Sequence, residues 1–283
     1  MAKLIIKYIN INKLYLLAKK VKIMKKENLI DEMLKGRLSQ IPIEVHRHFN
    51  IQSINEAYAI QDILNEKLIL SGFGKIEGYK IGCTNKAIQK ELSINHPILG
   101  AFFQNKIIKN NSTISLNKFI QPGVECELYA EIGKDINYNT SYNFENINKF
   151  ISYYGVSLEI VENRFKNFNE TTAQLVIADG SLGNSIVIGN KVKSINFSKL
   201  NELVGRIFLN NKEIYFNKAS SILDNPLNAL QWYFDKMIKL KKVVKKGSKV
   251  SLGSITPLIW ITEPINVKAS IDNIGECNIK FMK

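Results

Sequence analysis

The sequence has few of the residues that mark a disulfide-stapled, zinc-binding or membrane protein. Its three cysteines, Cys83, Cys126 and Cys277, are odd in number and far apart, with no C-x-x-C pair. That excludes a disulfide framework and a structural zinc site, and it points to a reducing cytoplasm. No apolar run approaches the roughly 20 residues needed to cross a bilayer, so no transmembrane span and no membrane partner are expected. Arginine is scarce, with only four residues, although Arg dominates specific contacts to phosphates and base edges. No helix-turn-helix, RNA-recognition or zinc-finger pattern occurs. No Gly-rich phosphate loop sits at a strand-to-helix junction, and no Ser or Cys elbow lies near a histidine to suggest a triad hydrolase.

What is plentiful is lysine. Lys+Arg number 39 against 25 Asp+Glu in 283 residues, a formal net charge of +14. The excess is uneven. Residues 1–26 carry eight Lys and no acid, which leaves +6 on residues 27–283. A second cluster, Lys236, Lys239, Lys241, Lys242, Lys245, Lys246 and Lys249, reads as a helix C-terminus and the turn after it, where cations complement the macrodipole. The joint richness in Lys, Ile and Asn fits an AT-rich coding bias. No nucleic-acid partner is therefore expected. Residues 1–26 are read as a basic N-terminal extension, ahead of a second potential start at Met24, and residues 27–283 as one catalytic domain. The 45% hydrophobic content is enough for such a domain to build a core.

Helical periodicity covers 27–39 and 54–71. In the second stretch Ile54, Tyr58, Ile60, Gln61, Ile63, Leu64 and Leu68 form the apolar stripe, and Gly72 and Gly74 end it. GYKIG (78–82) reads as a short strand and NKAIQKELS (85–93) as a short helix. After Pro97 strands dominate: VECELYAEIG (124–133), SLEIVENRF (157–165), two apolar runs in QLVIADGSLGNSIVIG (174–189), and strands within 246–261. Residues 224–240 read as a helix with Asn225 or Asp224 as cap and Pro226 in the first turn. Helices early and near 230, with strands in the centre and at the end, give an α+β class rather than an alternating βαβ one.

Glu125 and Glu127, two apart on a strand, share a face, while Val124, Cys126 and Leu128 point the other way. Two such carboxylates repel by about 4 kcal/mol at roughly 4 Å in a partly buried setting. A hard divalent cation such as Mg²⁺ or Mn²⁺ relieves that repulsion; a solvent-facing strand edge is the plainer account. Glu131, of the same parity, suits that plainer account. Glu159, between Leu158 and Ile160, needs a partner, and Arg164 or Glu162 could supply a local ion pair. Lys80, in GYKIG, is a lysine among apolar residues and glycines, where desolvation would lower its pKa and suit it to acid/base work. A lysine snorkelling to solvent is the alternative. The histidines, His46, His48 and His96, show no ligand spacing.

The motifs AYAIQ (57–61), GYKIGCTNKAIQ (78–89), HPILG (96–100), VECELYAEIG (124–133), SLEIVENRF (157–165), IADGSLGNSIVIG (177–189) and LGSITPL (252–258) occur in this order. Together they resemble the 2-keto-4-pentenoate hydratase and 2-oxohepta-3-ene-1,7-dioate hydratase family of the fumarylacetoacetate hydrolase superfamily, over about residues 27–282. The resemblance implies a central mixed β-roll or sandwich with an N-terminal helical part. It also implies a metal site for Mg²⁺ or Mn²⁺ on Glu125, Glu127 and Glu159, Lys80 as acid/base, Asp179 beside the site, and Ser254 and Thr256 near the substrate carboxylate. It implies a homo-oligomer acting on a small 2-oxo acid. The implied reaction adds water to a 2-hydroxy-2,4-dienoate or 2-oxo-enoate to give a 4-hydroxy-2-oxo acid. A 4-oxalocrotonate-type decarboxylation is the close rival. Acylpyruvate hydrolysis would need His96 or His48 beside the metal.

The chain departs from the family pattern at several places. Ile98 follows Pro97 where the family often has an acid, and Gly123 replaces an Arg. Gly180 and Ser181 follow the A-D pair in place of Asn and Ala, and Glu162-Asn163-Arg164 stands for Asp-Ser-Arg. These departures leave the three glutamates in place and bear on substrate choice.

Overall fold

A computed structural model describes residues 26–44, 50–193 and 197–283. The basic extension, all but Lys26 of it, and His46 and His48 lie outside those residues. Residues 26–39 form the first helix, α1. The second, α2 (Ile54–Leu68), starts at Ser53, whose side chain accepts from the Glu56 N–H, and buries Ala57, Tyr58, Ile60, Gln61, Leu64 and Leu68. Ile63 is not part of that stripe. It is 45% exposed, because it falls on the opposite side of the helix from Ala57, Gln61 and Leu68. The helix closes through a π-type turn, Ile69–Phe73, and Gly72 at φ 91°.

The remaining elements run β1 (Ile76–Gly82), α3 (Lys86–Glu91), β2 (Ile98–Phe103), β3 (Ile107–Lys109), β4 (Ser112–Ser115), β5 (Pro122–Ile132) and β6 (Ile151–Glu162). Then come α4 (Ala173–Ala178), β7 (Gly183–Val192), β8 (Val204–Leu209), β9 (Lys212–Lys218), α5 (Pro226–Lys239), β10 (Lys249–Ser254), β11 (Ile259–Trp260), β12 (Ile265–Ile271) and β13 (Gly275–Met282). Two differences from the sequence reading stand out. β6 starts at Ile151 rather than near Ser157, and the first apolar run of 174–189 is a helix rather than an extended segment. That helix is capped by Thr172, whose side chain accepts from the Leu175 N–H. α5 starts as expected, with Asn225 as cap and Pro226 at its first turn.

The strands make two mixed sheets. One has eight strands, in the order β2-β1-β10-β5-β6-β7-β3 with β11 paired to β5; the other has five, in the order β4-β13-β12-β8-β9. The α+β class and the roll-and-sandwich architecture expected from the motifs are thus present. Val124, Cys126, Leu128, Val156, Leu158 and Ile160 are fully buried. They form the face toward the five-stranded sheet, where the Cys126 thiol meets the Ser270 carbonyl, and β12 and β13 pack on β6.

The opposite face is the inside of a roll. β2, at one edge, touches β7 near the other, so the eight-stranded sheet curls on itself. Register sets the inner residues: Lys80 lies beside Ser251, Ser251 beside Tyr129, Glu127 beside Ser157 and Glu125 beside Glu159. The edge strand β2 is covered by α2 and the turn after α4. The Leu99 carbonyl accepts from Gln61 Nε2 and Ser181 Oγ at 2.9 Å each, and its N–H donates to Tyr58 Oη at 3.1 Å. An edge satisfied in this way is not free to pair with another chain. Of the lysines around the end of α5, Lys236 stacks over the Tyr58 ring, and others pair with distant acids, such as Lys245 with Asp135 at 2.9 Å.

Candidate active site

The two long central strands deliver the three glutamates. Glu125 and Glu127 are on β5 and Glu159 on β6, and one carboxylate oxygen from each lies within 4.8 Å of the others. Among the described residues no other group of three His, Cys, Asp or Glu side chains gathers in this way. Both Glu159 oxygens are buried; Oε2 accepts no hydrogen bond, and the one donor near Oε1 among the described residues is the Lys80 ammonium. Burial, then the neighbouring Glu159 charge, pushes the Glu125 carboxyl up to about 7, and burial with the Glu159 and Glu125 charges pushes Glu127 well above the usual carboxylate range. Ser251 donates to Glu127, which offsets part of that cost. Converging oxygens that are short of donors fit a hard divalent cation, whose charge compensates the carboxylates and whose coordination takes up their lone pairs.

The titration has a stability consequence. Glu125 and Glu127 have folded-state pKa values above their unfolded ones. Their contribution is fully present below the unfolded value and is lost as pH rises through the folded one. The metal-free protein should therefore lose thermal stability as pH rises from about 4.5 through 7, where Glu125 ionises, and further as Glu127 follows, and saturation with Mg²⁺ or Mn²⁺ should remove that loss. Melting curves at pH 5 and pH 8, with metal and with chelator, test this: a metal-induced rise in Tm no larger at pH 8 than at pH 5 refutes it.

Lys80 is 5% exposed, and its Nζ lies 3.0 Å from Glu159 Oε1. This answers what partners Glu159: it is Lys80, not Arg164 or Glu162. It also reverses the expected direction of the lysine's pKa. Burial pulls it down, but Glu159, Glu125 and Glu127 together outweigh burial and push it up to about 12. The inner wall against Lys80 is glycine. A Cβ on Gly183 would lie 3.7 Å from Lys80 Cε and 3.8 Å from Glu159 Oε1, and one on Gly100 would lie 2.3 Å from the Gly180 carbonyl oxygen. Gly100→Ala should therefore displace the turn after α4 and destabilise the protein by about 1–3 kcal/mol, read as the shift of the denaturant midpoint. An unchanged midpoint would show that the turn yields freely.

Asp179 is fully buried, and its carboxylate is taken up by guanidinium groups. Arg164 Nη2 donates to Oδ2 at 2.6 Å and Arg164 Nε to Oδ1 at 3.1 Å, with Arg37 Nε 3.6 Å from Oδ1. Arg164 also donates to Glu162 at 3.0 Å. Asp179 thus meets the site through the backbone turn it starts rather than through its own carboxylate. Arg37, from α1, was not singled out in the sequence. The available signal was chemical, since guanidinium is rare in a chain that otherwise uses lysine. Burial and the nearby Arg164 push the Arg37 pKa down to about 10.

Ser254 ends β10, and Thr256 lies in the turn after it. Ser254 pairs in register with Glu127, donates to the Thr256 carbonyl and lies close enough to Glu125 to lower its pKa. Thr256 Oγ1 accepts from the Cys126 N–H at 3.2 Å, which ties this turn to the strand of Glu125 and Glu127. His96 is elsewhere. Its Nδ1 lies 2.8 Å from the Pro97 carbonyl oxygen, and it lines a cavity of about 720 Å³ with Glu91, Ser93 and Thr172 to which none of the three glutamates contributes.

No family model matches the chain. Curated 2-keto-4-pentenoate hydratases do, among them the protein of Paraburkholderia xenovorans, 27% identical over 234 residues, which are 82% of this chain and 86% of that one. The structure of 4-oxalocrotonate decarboxylase from Pseudomonas putida G7, complexed with magnesium and adipate, superposes with TM-score 0.84 at 18% identity over 92% of this chain and 98% of that one. Fumarylpyruvate hydrolase from Pseudomonas aeruginosa, in complex with Mn²⁺ and pyruvate, gives TM-score 0.56 at 12% identity over 74% and 90% of the two chains.

Proposed function

The chain is a relative of the 2-keto-4-pentenoate hydratases within the fumarylacetoacetate hydrolase superfamily, and from that premise we propose that it is a divalent-metal-dependent hydro-lyase. Its substrate in this reading is a 2-hydroxy-2,4-dienoate or the 2-oxo-3-enoate tautomer, and its product a 4-hydroxy-2-oxo acid. The observation that carries the reading is a buried lysine in contact with one of three converging glutamates, while the second carboxylate oxygen of that glutamate is buried without a hydrogen-bond donor. We take Glu125, Glu127 and Glu159 as ligands of Mg²⁺ or Mn²⁺. When bound, the cation supplies Lewis acidity toward the substrate's 2-oxygen and adjoining carboxylate.

The protein's own groups do the rest. In this reading Lys80, held as an ammonium by Glu159, delivers a proton from Nζ to C5 of the dienoate and receives one back. Conjugate addition then brings the hydroxyl of water to C4 and a proton to C3. Ser254, at the end of β10, and Thr256, in the turn after it, hold the substrate carboxylate in this reading. Asp179 acts on the site by anchoring the turn beside Lys80. The catalytic unit in this reading is residues 27–283, acting in the cytoplasm as a homo-oligomer. No helix among the described residues is long and apolar enough to cross a membrane.

Purified protein should lose dienoate hydration on treatment with chelator and regain it with Mg²⁺ or Mn²⁺, followed as the loss of dienoate absorbance. The same preparation assayed for carbon dioxide release from a 2-oxo-3-enedioate separates hydration from decarboxylation. Hydration that survives complete chelation excludes the metal-dependent reading.

A further inference from the structure

The turn that closes the inner wall is held in an unfavourable conformation. Gly180, Ser181 and Leu182 follow one another at φ 83°, 58° and 58°. Successive left-handed residues persist only where the surroundings over-determine them. Two guanidinium groups do so here. Arg37 of α1, with 6% of its side chain exposed, donates from Nη2 to the Asp179 carbonyl and from Nη1 to the Gly183 carbonyl at 3.2 Å. Arg164 Nη2 donates to the same two carbonyls, at 3.5 and 3.3 Å. The carboxylates of Asp179 and Glu162 balance the two positive charges, as burial requires. The far end of the turn, Gly183, faces Lys80 and Glu159: a Cβ added there would come within 3.8 Å of Lys80 Cε and Glu159 Oε1.

We propose that Arg37 is a positioning residue: from the first helix it pins both ends of the 179–183 turn, and through Gly183 that turn fixes where Lys80 stands against Glu159. Arg164 belongs to the long central segment and holds the same carbonyls from one side, whereas Arg37 reaches them from an element more than 140 residues away. Docking of α1 therefore adds a second guanidinium to carbonyls that Arg164 already holds. The link to turnover rests on the hydratase reading; the link to the turn does not.

The test compares wild type with Arg37→Ala and Arg37→Lys in the full chain. Amide exchange by mass spectrometry should accelerate about tenfold or more in peptides spanning 177–184 of the Ala variant, while peptides of β5 and β6 change less than about twofold. With Mn²⁺ saturating, kcat on the dienoate should fall roughly 10- to 100-fold, with KM and Mn²⁺ affinity little changed, and Lys, which reaches one carbonyl but not both, should be intermediate. If the Ala variant does not fold, the Lys variant carries both measurements. Exchange unchanged in 177–184, or raised equally in β5 and β6, overturns the proposal, as does a locally loosened turn with kcat intact. If the wild type is inactive on every dienoate the hydratase reading fails, and the exchange measurement alone still decides whether Arg37 pins the turn.

Discussion

Lys80→Met lowers kcat on the dienoate by roughly 10²–10⁴-fold, the range spanned by loss of a positioned proton donor. Methionine is chosen because it fills nearly the same length in the narrow slot between β1 and the turn after α4 while removing both charge and proton. Two effects of the substitution must be kept apart. Lys80 is the only cation within ion-pair distance of Glu159 among the described residues, so without metal its removal leaves a buried carboxylate uncompensated, at a cost of about 3–5 kcal/mol. With Mg²⁺ or Mn²⁺ saturating, the cation takes over that compensation and the variant should fold. The kinetic loss measured under those conditions is then the loss of proton transfer. Lys80→Arg should not recover activity, since the larger planar guanidinium does not put a proton donor where the compact ammonium stood. Turnover within tenfold of wild type in the metal-saturated Met variant removes Lys80 from the chemistry.

Much of this site was readable in one dimension because strand geometry has period two. The E-x-E pair on an alternating strand puts two carboxylates on one face before any partner is known, and in the fold Glu125 and Glu127 do share the inner face with Val124, Cys126 and Leu128 opposite. That Glu159 joins them depends on the register of β5 against β6, which pairs it with Glu125; here the motif resemblance supplied what spacing alone could not. Lys80 was readable as a buried lysine but not in its direction of titration. Burial was visible in GYKIG, whereas the three carboxylates that outweigh it come from other strands. The rarity of guanidinium marks Arg37 but not its partners, since nothing local to the end of α1 says that a turn 142 residues later will present its carbonyls there. The strand starting at Ile151 and the helix Ala173–Ala178 were misjudged for a related reason. Short apolar runs carry no period long enough to separate helix from strand, and tertiary cover decides between them.

Glu159→Gln is the substitution that separates a metal centre from a buried ion pair, and it should raise the dissociation constant for Mn²⁺ by roughly 10- to 100-fold or more and take hydration below detection. Glutamine keeps the shape of the side chain and one acceptor oxygen, but it removes the charge that both Lys80 and a cation would use. If Glu159 served only as the partner of Lys80, the substitution would cost stability, would release the lysine from its strongest upward influence, and would leave metal affinity on Glu125 and Glu127 nearly intact. A ligand role predicts the opposite emphasis. Three carboxylates against one divalent ion and one ammonium leave the pocket balanced, so losing one carboxylate weakens the cation's hold directly, while the chain, with one fewer buried charge to compensate, should melt no lower than metal-free wild type. The two outcomes are read by titrating Mn²⁺ into the variant and melting it with and without the ion. Unchanged Mn²⁺ affinity with a lowered Tm would falsify the three-glutamate site and leave the lysine–glutamate pair as a structural one.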